Sequence, residues 1–89
     1  MDLQLLINKL RDLHAASDML MALLFSTAET NGTQIEAFYS VQLLHAASSE
    51  IGRLMLNTPP PPPSVLLELL ETYNKLAAEQ IVRLGGEAL

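Results

Sequence analysis

The chain is expected to be all-α, with three helices in one small domain. Two observations carry that expectation. Apolar residues recur at three- and four-residue spacings through three long stretches. Sharp breaks separate the stretches: Asn31-Gly32, then the run Pro59 to Pro63.

The first helix is expected from about residue 2 to residue 28, with Asp2 as N-cap, its charge matched to the positive end of the helix dipole. Leu3, Leu6, Leu10, Leu13, Ser17, Leu20 and Leu24 form a row suited to packing on another helix. Ile7, Met19, Met21, Leu23 and Phe25 fall off that row, so the second half of the helix is apolar nearly all round. Such a helix is covered on more than one side.

Asn31-Gly32 reads as a helix stop, Gly being the usual left-handed residue after a helix end. Thr33 and Glu36 then fit a capping box, in which hydroxyl and carboxylate satisfy the first unpaired amides of the next helix. A stop followed at once by a start predicts an αα-hairpin. The second helix is expected over about 34–56, with the stripe Ala37, Phe38, Val41, Leu44, Ser48, Ile51 and Met55. Ala46, Ala47, Ser48, Ser49 and Gly52 thin its middle and allow close approach of a neighbouring backbone. The segment Leu13-His14-Ala15-Ala16-Ser17 recurs as Leu44-His45-Ala46-Ala47-Ser48, and the apolar periodicity on either side recurs with it. The hairpin therefore reads as pseudo-twofold, with a tight waist.

Residues 57–63 form a stiff spacer, because proline disfavours helix in the residue before it and lacks an amide to donate. Five prolines in polyproline II geometry span about 15 Å. The third helix is expected over about 64–84 with Ser64 as N-cap and Gly85-Gly86 as its stop. Its stripe is Leu66, Leu69, Leu70, Tyr73, Leu76, Ala77, Ile81 and Leu84, and Glu71–Lys75 and Glu79–Arg83 are well-ordered i,i+4 pairs on the other face.

Composition narrows the function. Five Lys and Arg against ten Asp and Glu leave a net charge of −5. With no basic stripe to neutralise phosphates, neither nucleic acid nor an anionic membrane surface is an expected partner. The apolar run Met19 to Phe25 is far shorter than the roughly 20 residues that span a bilayer, and the amino terminus lacks a basic leader. A cytoplasmic location is expected. The absence of cysteine removes disulfides and thiolate metal sites.

No catalytic constellation emerges, and an enzyme, a cofactor or a resident metal is not expected. His14 and His45 hold equivalent places in the repeat but have no Asp, Glu or Cys at a ligand spacing beside them. Ser17, Ser48 and Ser49 lack a nucleophile-elbow motif. No glycine-rich phosphate loop opens a helix.

Instead, the chain carries a surplus of apolar surface. Hydrophobic residues make up 49% of it, charged ones 17%, and its mean hydropathy is +0.26. A chain this short buries only about 60–65% of its unfolded surface. A second chain is expected to cover part of the remainder, most simply in a twofold homodimer. The candidate contact residues are Met19, Met21, Leu23 and Phe25 on the first helix, and Leu66, Leu70 and Tyr73 on the third, which folds back or exchanges with a neighbour.

The first 57 residues resemble the short helical-hairpin families of unknown function common in proteobacteria, through Leu13 to Ser17, the apolar run to Phe25, and the stripe from Val41 to Met55. That resemblance implies a bacterial hairpin and brings no assigned chemistry. The leading expectation is a non-enzymatic interaction module, a small homo-oligomeric regulator or adaptor that occludes or bridges a partner protein. One alternative is a phage- or prophage-type acidic inhibitor of a host nucleic-acid-binding machine. Another is a small apolar-ligand carrier or enzyme subunit, which needs a dry cavity of about 300 Å³ or more.

Overall fold

Leu6, Leu13, Ser17 and Leu20 stand three, four or seven residues apart, so a single helix places them in one row, and all four are buried. The computed structural model describes residues 3–26 and 32–84. Within them the chain forms α1 (Leu3–Ser26), α2 (Gly32–Met55) and α3 (Pro63–Arg83), each in contact with the other two. The architecture is an all-α three-helix bundle, as the apolar spacing predicts.

The chain runs up, down and up. At one end Leu3 and Leu6 of α1 share a cleft with Met55 of α2, Pro60 to Pro63 and Leu66 of α3. At the other end Arg83 of α3 pairs with Glu36 of α2. Consequently α1 and α3 are parallel, with α2 antiparallel to both. Asn74 fixes the α1–α3 register: its Nδ2 donates to the Lys9 carbonyl at 3.1 Å and to the Leu70 carbonyl at 2.9 Å. Lys9 Nζ lies 3.9 Å from Glu71 on the same pair of helices.

The core is aliphatic. Leu13, Leu20, Leu44, Ile51, Leu70 and Ile81 are fully enclosed, with Ala16, Ala37 and Ala77 where the helices approach. The repeat is expressed in packing: Leu13 and Leu44 are both sealed, as are Ser17 and Ser48, and Leu20 and Ile51. Gly52 faces Leu10, where an added Cβ would sit 3.8 Å from Leu10 Cδ2. The backbone spans 46 × 20 × 15 Å. With only two neighbours to cover it, each helix keeps a broad outer face.

Several boundaries differ from the sequence expectation. Gly32 is the first residue of α2 and not the residue after α1. The second helix ends at Met55, leaving Leu56 exposed. The third begins at Pro63, with Pro62 and not Ser64 at the cap position and no side-chain capping bond. The physical reason is that proline is well suited to the first helical position, where its missing N–H has no partner to lose and its φ is already helical. The Pro62 carbonyl accepts from the amides of Val65 at 3.0 Å and Leu66 at 3.3 Å. The last proline thus starts the helix while the preceding ones space it.

Two expected intrahelical pairs are replaced by tertiary ones. Glu71 faces Lys9 of α1, and Arg83 faces Glu36 of α2. Phe38, placed on the inner stripe from the sequence, is about half exposed because Ala37 takes the inward position beside it. Leu3 likewise leaves the α1 row for solvent. The Asp2 cap, the end of the first helix at Ala28, the turn residue Asn31 and the Gly85-Gly86 stop lie outside the described residues, as does the Thr33 hydroxyl.

Candidate functional site

No group of three or more His, Cys, Asp or Glu side chains among the described residues is arranged to hold a metal ion. His14 and His45 are both exposed. No described helix is long and apolar enough to cross a membrane. Ser48 is buried and its hydroxyl donates to the His45 carbonyl at 3.1 Å, a local bond within the helix. Its counterpart Ser17 is sealed in the core with no partner for its hydroxyl.

Partly open clefts mark the body, two of them between helices. One, of about 280 Å³, lies at the base between Leu3, Leu6, Met55, the prolines and Leu66. The other, of about 400 Å³, runs between α1 and α3 along Asp12, Ala15, Ala16, Asn74 and Ala78. Neither gathers titratable side chains into a reactive pair.

The apolar surface is the more distinctive feature. Of the residues expected to meet another chain, Met19 is 39% exposed and Phe25 78% exposed. Met21, Leu23 and Tyr73 are partly buried and pack against the protomer's own core. Leu66 and Leu70, by contrast, do not lie on the surface of this chain: they are inner-face residues of α3, at 3% and 0% exposure, and belong to the core. A residue so enclosed has no surface left for a partner.

Sequence reasoning overlooked most of the surface on α2. Ile35, Phe38, Tyr39 and Leu43 are all exposed there, and the rings of Phe38 and Tyr39 meet edge-on with centroids 5.9 Å apart. A signal was present, because no Asp, Glu, Lys or Arg occurs between Glu36 and Glu50. A helix with one side in water ordinarily carries charge there.

The charges bordering that face are paired within the chain. Glu36 accepts from Arg83, and also from Gln80 Nε2 at 3.2 Å. Glu50 accepts from Arg53, one of the two contacts being 3.0 Å from Arg53 Nε. That hydrogen bond, aided by the charge of Arg53, holds the Glu50 carboxyl below its ordinary pKa and raises Arg53. Both side chains are exposed, so the pair adds little stability. Its main effect is to leave the face near neutrality in an acidic chain.

No protein-family model, curated protein or solved structure matches the chain.

Proposed function

We propose that the protein is a non-enzymatic interaction module, a small homodimeric regulator or adaptor that works by occluding or bridging a partner protein. The observation carrying this reading is the amount of large apolar side chain outside the core. Phe25, Met19, Ile35, Phe38, Tyr39 and Leu43 are all exposed. Single exposed hydrophobics are ordinary, but a charge-poor face holding several is a mark of association. Methionine and aromatic side chains suit such surfaces, the former adaptable, the latter supplying large contact area.

Light scattering across a dilution series tests it. The expected mass is twice the 9.7 kDa of one chain at tens of micromolar, in the middle of the usual affinity range, falling toward one chain on dilution. A single-chain mass at every concentration overturns the homodimer.

A further inference from the structure

Along α2 the buried row Ala37, Val41, Leu44, Ser48 and Ile51 follows three- and four-residue steps. Two residues before each member stands an exposed one: Ile35, Tyr39, Gln42, Ala46 and Ser49, with Arg53 continuing the same spacing. At about 100° per residue, a two-residue offset carries this second row to roughly the opposite side of the helix. The spacing is that of a coiled-coil contact row, and none of the bundle's own helices covers it.

We propose that this row is the twofold interface between two copies of the chain, with the two α2 helices packed antiparallel and crossing near the level of Leu44. The inference rests on the interaction reading above and names its face, occupant and geometry. Three features of the row favour a second copy.

The first is size. Antiparallel pairing about Leu44 sets Tyr39 against the other copy's Ser49, Gln42 against its Ala46, and Ile35 against the aliphatic stem of its Arg53. Each large side chain meets a small or flexible one, the complementarity that a self-associating helix needs.

The second is charge. Two chains of net charge −5 repel each other over most approaches. The α2 face is where they can meet without opposing like charges, because Glu36, Glu50 and Arg53 are the charged residues of α2 and each is ion-paired within its own chain. A strongly basic partner would gain nothing from a face so neutral.

The third is area. Ile35, Phe38, Tyr39 and Leu43 each expose about half of their surface or more. With about 150–250 Å² available per aromatic side chain, they offer on the order of 500 Å². A standard interface takes about 800 Å² per partner. Gln42, His45, Ala46 and Ser49, all exposed, lie in the same patch to supply the difference.

Because the natural chain has no cysteine, engineered thiols report geometry cleanly. The experiment combines light scattering with oxidative cross-linking of full-length Gln42→Cys, Ala46→Cys and a one-to-one mixture of the two. The expected result is a wild-type dimer, with the mixture forming a covalent dimer faster than either variant alone. Ala46→Arg is expected to weaken self-association by about 100-fold or more, as loss of a central contact does. Thr72→Arg, on the exposed side of α3, is expected to leave it unchanged; circular dichroism should show both charge variants equally helical. If the wild type dimerises but Ala46→Arg does too and no cross-link forms, this face is wrong and the homodimer reading survives. Preferential linking of Gln42→Cys to itself overturns the antiparallel arrangement. A wild type monomeric throughout overturns the interface and the homodimer together.

Discussion

Gly52 shows how much a single position leaves unused. It sits inside α2, where glycine costs roughly 0.5–1 kcal/mol relative to alanine. The space beside it accepts a methyl group at ordinary van der Waals distance from Leu10. Gly52→Ala is therefore expected to raise unfolding stability by about 0.5–1 kcal/mol in urea denaturation; a loss would mean that the α1–α2 approach is tighter than 3.8 Å permits. The equivalent serines of the repeat should respond in opposite directions. Ser17 has a buried hydroxyl without a partner, so Ser17→Ala removes a desolvation cost of about 1 kcal/mol or more and should stabilise. Ser48→Ala gives up the bond to the His45 carbonyl and should not. Equal responses from the two would refute this distinction. The shared five-residue segment was visible in the sequence, but not that the Ser48 hydroxyl reaches a carbonyl while that of Ser17 reaches none.

At the scale of the helix, periodicity carried most of the information. Leu66, Leu70, Ala77 and Ile81 read as one row and are buried as one row. Length and breaks placed α2 and α3 to within two residues, and the discrepancies have local causes, such as proline taking the first position of α3. Salt bridges were less legible, because i,i+4 spacing says nothing about a competing partner on another helix: Lys9 and Glu36 drew Glu71 and Arg83 outward. The assignment of Leu66 and Leu70 to a partner surface failed for a related reason. An apolar row shows that something covers it, not whether the cover is in the same chain. Leu70→Ala should accordingly cost about 2–5 kcal/mol, measured as a shift in denaturation midpoint at unchanged slope. Phe25→Ala in dilute protein should move it by less than about 0.5 kcal/mol. Similar penalties for the two would contradict their separation into core and surface.

For the whole molecule, the decisive fact is the small number of helices. Each has only two neighbours, so none is enclosed on every side, and apolar residues on the outer faces of α1 and α2 stay in water. The surplus was foreseeable from composition; its location was signalled by the charge-free stretch Ala37 to Ser49 but not fixed by it, because such a stretch reads equally well as buried on every side. If two chains share the α2 face, thermal stability depends on concentration. A protein whose folded state is held by self-association gains about 2.7 kcal/mol when partner concentration reaches 100 times Kd. Calorimetry at 5 and 500 μM, about a hundredfold apart, should therefore give a higher Tm in the more concentrated sample. An identical Tm would count against a dimer that stabilises the fold.

The placement of the aromatic rings has a practical corollary. Tryptophan is absent, Phe25, Phe38 and Tyr39 face outward, and Tyr73 is only partly covered. Ultraviolet emission and near-ultraviolet ellipticity, usually taken as gauges of a packed interior, will here chiefly report what touches the exterior. Tyrosine polarisation should consequently follow the meeting of chains through Tyr39, while melting of the leucine interior reaches those signals only through Tyr73 and is better followed through the peptide bands.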